Sequence, residues 1–186
     1  SPSSTGAWTP PTMDLVGVEI LVTHPGFTGG GGVFFGYFDI SDPLNPTWNG
    51  GNIGAGIVFT TVPTAVRNFN GRAYWAVNPL TGQPSLVYSD VLTGRVVTSA
   101  NQVLTFDDNK PLTALGNLGV GTQLTGAITQ SLIVFKGTSG MFQVVGDAAS
   151  TANPLAKNAL SVPTGTLAPN SICSTPKGLA FASPEG

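Results

Sequence analysis

Charged residues are scarce in this chain of 186 residues. They make up 9% of it, with seven Lys and Arg against nine Asp and Glu, whereas an average soluble domain carries roughly 25%. The basic residues stand singly, so the positive patch that nucleic-acid binding needs is missing and specific nucleic-acid binding is excluded as a main function. A surface with so little charge favours a protein that is covered by partner subunits.

Cysteine, histidine and long apolar runs are nearly absent. The one cysteine, Cys173, has no partner for an internal disulfide, and we expect a free buried thiol. The one histidine, His24, precedes a proline and is expected to cap a turn, because a histidine metal cluster needs more than one imidazole. Apolar runs such as Leu132-Ile133-Val134-Phe135 are too short to cross about 30 Å of hydrocarbon, so no membrane span is predicted.

The acidic residues and the glycine clusters give no pattern that indicates catalysis. Most acids stand beside turn formers, as in FDISDP, YSDVLTG and VGDAAS, where Asp accepts hydrogen bonds from backbone N–H groups. No calcium-loop spacing occurs, and neither glycine cluster, 28–32 or 50–56, is followed by Lys-Ser/Thr or opens a helix. We predict loop tips at both clusters and no enzyme, with no catalytic, cofactor-binding or metal-binding residue and no cofactor. A propeller glycosidase, which needs two carboxylates facing one cleft, stays open as a third alternative.

What the sequence does contain is a succession of short β-type runs. Segments rich in Val, Ile, Phe, Tyr and Thr recur between clusters of Gly, Pro, Asn and Asp, and helical periodicity is hard to find. The pattern predicts an all-β chain. The predicted strands are Val16–Thr23, Val33–Ile40, Ile57–Thr61, Arg72–Val77, Ser85–Ser89, Gln102–Phe106, Ser131–Lys136, Met141–Val145 and Gly178–Ala182, with a weaker one at Asn158–Val162.

Hairpins repeat along the chain. RAYWAVNPLTGQPSLVYSD and SLIVFKGTSGMFQVVGD each predict two strands joined by a turn, and VGVEILVTHPG followed by VFFGYFDISDP fits the same outline. Val18, Tyr74, Ile133 and Leu179 serve as equivalent points, about 46 to 59 residues apart, which is the range of a propeller blade. We expect AYWAV, LIVF and GLAF to be the first, innermost strands of such blades.

The predicted architecture is therefore a propeller-like array of antiparallel hairpins that forms an incomplete or fragment propeller. Residues 1–61 are assigned to an N-terminal β segment that fits a further blade, and residues 62–186 to the propeller-like β repeats. About three blades and the start of another are too few to close a ring, because propellers have at least four.

Six short motifs follow one another between Val62 and Gly186: FNGR, YSD, LIVFKG, VVGD, TGTLAPNS and GLAFASPEG. In this order they resemble the propeller region of bacteriophage tail and virion structural proteins, including the nozzle-type tail proteins of short-tailed phages. The resemblance implies a non-enzymatic part of the virion tail that assembles with other virion subunits as a homo-oligomeric ring through which DNA passes. It also implies that the chain continues after Ser183-Pro184-Glu185-Gly186, since full-length nozzle proteins are several times longer.

The second interpretation is a lectin-like or receptor-binding β module. Trp48 or Tyr88 at a loop would supply an aromatic platform for a sugar ring. Tyr74 and Trp75 suit that role less well, because adjacent strand residues point to opposite faces and one of the two is expected in the core.

Overall fold

The computed structural model describes residues 10–121, 128–138 and 140–184. Its regular elements are β-strands and two short 3₁₀ turns, Gly30–Gly32 and Pro169–Ser171, which confirms the prediction of an all-β chain. Strands β1 to β16 are Thr12–Val16, Glu19–Thr23, Phe35–Asp39, Thr47–Gly51, Gly54–Ala55, Ala65–Phe69, Arg72–Val77, Ser85–Tyr88, Val96–Val97, Val103–Thr105, Leu112–Gly121, Ile128–Lys136, Met141–Val145, Ala156–Leu160, Cys173–Thr175 and Gly178–Ala180. Within the described ranges, no helix has the length and apolar character needed to cross a bilayer.

The chain divides into two compact units, Ser1–Asn109 and Lys110–Gly186. The predicted division between residues 61 and 62 falls inside the first unit. There, β6 is tied to β1 by hydrogen bonds from Val66 N to Thr12 Oγ1 (3.3 Å) and from Asn68 N to Asp14 Oδ2 (2.8 Å). These bonds link sequence segments on the two sides of that division within one unit.

The same four-stranded antiparallel meander occurs three times. The first sheet has the order β1-β2-β3-β4, the second β10-β8-β7-β6 and the third β11-β12-β13-β14. The predicted hairpins form between β2 and β3, β7 and β8, and β12 and β13. The remaining pairs are the antiparallel hairpin β15–β16 and a two-residue parallel pair of β5 with β9.

AYWAV and LIVF are the second strands of their sheets, so the prediction that they come first is wrong. Each is preceded by a paired strand, β6 or β11, and the GLAF segment follows β15 in the same way. The predicted strand Val16–Thr23 begins too early, because it includes the last residue of β1 and the turn before β2. Gly17 (φ 59°) turns the chain between them, and a Cβ there would lie 2.3 Å from the carbonyl oxygen of Leu92.

The loop at Leu92 lies against two hairpin turns of the first unit. Its carbonyl group approaches Gly17 in the β1–β2 turn, and its N–H donates to Gly71 O (2.7 Å) in the β6–β7 turn. The latter turn has Asn70 and Gly71 at positive φ, as tight two-residue hairpins require.

The core of the first unit lies between the first and second sheets. Its centre is Trp75 of β7, whose ring centroid lies 4.6 Å from that of Phe35 on β3 and 5.6 Å from that of Phe59. Buried aliphatic side chains surround these rings: Val16, Leu21, Val66, Val77, Val87 and Val97. Tyr74 is buried as well, on the opposite face of β7, so both members of the Tyr-Trp pair are internal.

Phe59 belongs to the predicted strand Ile57–Thr61, but this segment is not a strand. Its backbone is bound by a side chain instead. Phe59 N donates to Asn52 Oδ1 (2.9 Å), and Asn52 Nδ2 donates to Phe59 O (3.0 Å). The Asn52 amide thus takes the place of a neighbouring strand.

In the second unit, the β15–β16 hairpin covers one face of the third sheet. Ile172, Leu179 and Phe181 pack on Ile133, Phe135 and their neighbours. Gly116 in β11 permits this approach, because a Cβ there would lie 2.7 Å from Ile172 and 2.9 Å from Leu179. Cys173 is exposed, so the predicted buried thiol is wrong. Leu179 points towards the third sheet, so its strand neighbour Ala180 points away from it. Cys173 is paired with Ala180 and therefore also points away from the sheet.

Candidate functional site

The outer face of the first sheet is apolar on all four strands. Directly paired residues of antiparallel strands project to the same side, so the strand register places two cross-strand rows on this face. None of the eight residues is charged or has a polar side chain other than the Trp indole N–H. The outer face consists of Leu15, Ile20, Phe38 and Trp48 in one row and Met13, Val22, Gly36 and Gly50 in the other.

Most of the large side chains on the outer face are accessible. Met13 is 54% exposed, Leu15 and Trp48 47% each, and Phe38 37%. Four strands about 4.8 Å apart and five residues at about 3.3 Å give roughly 300 Å² of sheet, which reaches the size of the largest apolar patch on a typical monomer. Antiparallel sheets usually place polar residues on a solvated face, so this face has the composition of a covered one.

Trp48 lies across the neighbouring strand rather than standing away from it. A Cβ on Gly36 would be 2.0 Å from Trp48 Cη2, so only glycine leaves room for the indole over β3. The Phe38 ring lies beside it, with centroids 4.7 Å apart. Val33 covers Gly50 in a similar way, since a Cβ there would be 2.9 Å from Val33 Cγ1. The side chains of Trp48 and Val33 thus lie over the two glycine positions of the face.

Next to Trp48 is an open cleft of about 350 Å³. A loop following β2 forms one wall and is held by His24, whose Nδ1 accepts from Gly26 N (2.8 Å) and whose carbonyl accepts from Phe27 N (3.0 Å). The predicted capping role of His24 is thus observed. The volume is near the lower limit of the roughly 300–1,000 Å³ found for ligand sites. The cleft is lined by Gly26, Phe27, Thr28, Gly30, Val33, Trp48 and Gly50.

Tyr88, the other aromatic residue considered for a sugar platform, lies on a different sheet from Trp48. It is on β8, where its ring packs 5.6 Å from that of Tyr74 and its hydroxyl donates to Asn101 O (3.4 Å). Burial raises the pKa of the Tyr88 phenol. Of the two aromatic residues, Trp48 is the one that lines the cleft described above.

Asp39, Asp42 and Asp147 bind their own turns, as the sequence pattern predicts, whereas the side chain of Asp90 in YSDVLTG bonds Thr98 and Gln102 instead. Asp39 accepts from Ser41 N (2.9 Å), and this backbone bond lowers its pKa. The Asn45 side-chain amide, 3.0 Å away, lowers the pKa of Asp42, with a further contribution from Leu44 N. Asp147 accepts from Ala149 N (2.9 Å) in the same manner.

The other acids with described contacts join separate segments. Glu19 accepts from Gly94 N (3.0 Å) and from Arg95 Nε (2.6 Å), and Asp90 accepts from Gln102 Nε2 (2.7 Å). Among the residues that the structure describes, no three or more His, Cys, Asp or Glu side chains come together as metal ligands would.

The second glycine cluster is part of the β structure, which corrects the prediction of a loop tip. Gly50 and Gly51 are in β4, Gly54 is in β5, and a Cβ on Gly56 would lie 2.6 Å from the backbone of Ser99. The first cluster, at 28–32, does form a loop with a short 3₁₀ turn.

The sequence pattern singled out Trp48 but not Met13, Leu15 or Phe38, which share its face. In Thr12–Val16 the sequence places Met13 and Leu15 on one face and Thr12 and Asp14 on the other, but this alternation alone does not say which face is exposed. Comparison of the chain with protein-family models, curated proteins and solved structures returns no match.

Proposed function

We propose that this chain is a non-enzymatic structural component that acts by assembly with neighbouring subunits, in a bacteriophage virion and within it in the tail. The observation that carries the assembly role is the exposed, uncharged outer face of the first sheet. At about 25 cal/mol per Å², covering about 300 Å² stabilises an assembly by roughly 7 kcal/mol before the entropy of association is subtracted. In a free subunit the face stays in contact with water, and this stabilisation is absent.

The repeated meanders support a propeller-like arrangement. In a propeller, the first strands of successive blades are neighbours around the axis. Within the first unit, the first strands β1 and β6 are joined through Asp14 and Thr12 side chains. Within the second unit, Ser174 Oγ of β15 donates to Asn117 O of β11 (2.6 Å). The same kind of first-strand contact thus recurs in both units.

The order of the six motifs between Val62 and Gly186 supports the virion assignment. The assembly that we propose is a ring of identical copies. A net charge of −2 gives no attraction for DNA that passes through such a ring.

Immunogold electron microscopy of purified phage particles, with antibody raised against this chain, tests the location. We expect gold at one position on the tail and the chain among the proteins of the particle. Particles that lack the chain by both labelling and mass spectrometry would refute the virion assignment. Labelling on the capsid alone would refute the tail assignment.

The cleft beside Trp48 favours a second candidate, a lectin-like or receptor-binding module. A half-exposed indole next to backbone groups of Gly26, Gly30 and Gly50 suits a sugar ring, which stacks by its apolar face and bonds by its hydroxyls. A glycan array probed with the chain, the Trp48→Ala variant and the Tyr88→Ala variant separates the candidates. Saturable binding that only Trp48→Ala abolishes would support the module, and its absence would eliminate it.

A further inference from the structure

We infer that the outer face of the first sheet packs against the same face of a second copy of this chain, as a two-fold symmetric contact between two sheets. The inference rests on the proposed assembly role and names the partner. Ile20 and Phe38, on the two central strands, lie at the middle of the contact. Leu15 and Trp48 flank them in the same cross-strand row.

The chemistry of the face suits a copy of itself. In a two-fold contact the same patch supplies both sides, so an uncharged face is opposed by another uncharged face. The outer face has no charge, and burying it leaves no unpaired charge behind. Apolar, uncharged side chains on both sides are what a sheet-to-sheet core about 10 Å thick requires.

The shape of the face fits the same partner. Trp48 fills the space over Gly36 and so levels the centre of the face, while the open cleft lined by Val33, Trp48 and Gly50 lies on its β4 side. A level surface is matched by another sheet. A narrow loop or a single strand would cover only one of the two rows.

The chain already uses this packing mode on the other face of the same sheet. There the second sheet, also four-stranded and antiparallel, covers Val16, Leu21 and Phe35. Phe35 contacts Trp75 across that interface at 4.6 Å between centroids. A second copy supplies one more four-stranded sheet of the same construction.

The contact is small for a protein–protein interface. About 300 Å² of sheet per partner is smaller than the roughly 800 Å² per partner of a standard stable interface. We therefore expect a weak, concentration-dependent dimer in solution and one contact among several in an assembled particle. Because a two-fold contact closes at two copies, a larger ring would use a second surface as well.

Sedimentation equilibrium of the full chain between about 1 µM and about 1 mM tests the pairing. We expect a monomer–dimer equilibrium whose dissociation constant rises about 10-fold or more in Leu15→Lys and in Phe38→Lys, because each variant buries a charge in the contact. The matched control is Leu80→Lys, which adds the same charge at a residue that is 93% exposed in the turn between β7 and β8. It should leave the dissociation constant within about 2-fold of that of the unaltered chain.

Near-UV circular dichroism of the buried Trp75 cluster verifies that each variant is folded. If Leu15→Lys unfolds, Met13→Lys, at a more exposed position of the same face, replaces it. A chain that is monomeric throughout the concentration range would overturn the inference. So would dimerisation that persists in the face variants, or that Leu80→Lys weakens as much as they do.

The inference and the proposed function fail separately. Pairing is measured on the purified chain, whereas the virion location is measured by labelling of particles. Labelled tails with no pairing in solution would overturn only the two-fold contact. Pairing in solution with unlabelled particles would overturn only the virion assignment.

Discussion

Replacing Asn52 by alanine is expected to destabilise the first unit by about 2–6 kcal/mol. The side-chain amide of Asn52 accepts from Phe59 N at 2.9 Å and donates to Phe59 O at 3.0 Å. Its Oδ1 also accepts from Ile53 N at 2.9 Å. A buried backbone group left without a partner costs about 1–3 kcal/mol, and Phe59 is a buried residue with two such groups at risk. The loss extends to packing, because the Phe59 ring contacts Trp75.

Urea titration followed by near-UV circular dichroism measures this effect, since the signal comes from the aromatic cluster around Trp75. Asn49→Ala is the matched control. The Asn49 amide contacts only Thr47, at 3.4 Å and on an exposed strand, so we expect a loss below about 0.5 kcal/mol. Asn52→Asp keeps the acceptor and loses the donor, and should fall between the two. If Asn52→Ala and Asn49→Ala have the same free energy of unfolding within error, the amide does not hold the segment.

Two further predictions concern the first sheet. Hydrogen bonding from Asn45 lowers the pKa of Asp42 below its ordinary 3.8, so Asp42 contributes stability above that pH which is lost as the pH falls through the lowered pKa. Asp42→Asn should therefore show a smaller fall of the urea midpoint on acidification, and an unchanged acid dependence would contradict this assignment. Gly36→Ala should displace the Trp48 indole, because the new Cβ would lie 2.0 Å from it, and should shift tryptophan emission to longer wavelength. Gly51→Ala, where a Cβ meets nothing within 4 Å, should leave the spectrum unchanged, and equal spectra of the two variants would refute the argument.

The sequence predicts best the strands that are apolar runs between turn formers and pair with the adjacent segment of the chain. Arg72–Val77 and Met141–Val145 have the predicted bounds, since each is an apolar run between turn formers and pairs with an adjacent segment of the chain. β4 and β11 were not predicted. Both contain glycines that local propensity counts against a strand, yet Gly50 and Gly116 are where other side chains need room.

Ile57–Thr61 shows the opposite error. Its residues have the composition of a strand, but its backbone partner is the side chain of Asn52, seven residues before Phe59. Composition reports the preference of a segment for extended structure and burial. It does not report which group will bind its peptide N–H and C=O.

The outer face was predictable only in part, because it depends on register. The sequence indicates Trp48 as an aromatic residue at a loop, which is wrong, since the structure places it half-exposed on strand β4. That Leu15, Ile20 and Phe38 share its row follows from pairings across four strands. A shift of one residue in any pair would send a strand's apolar side chains to the other face, and the sequence alone does not fix that choice.

The contacts of the loop at Leu92 make it a poor place for an insertion. Because it contacts Gly17 and Gly71 at once, an insertion there would disturb two turns in two sheets. Leu80, in the turn between β7 and β8, is almost fully exposed, so a residue added beside it would meet solvent. An epitope for locating the protein in particles therefore belongs at Leu80, where the antibody would find it without any change to the outer face of the first sheet.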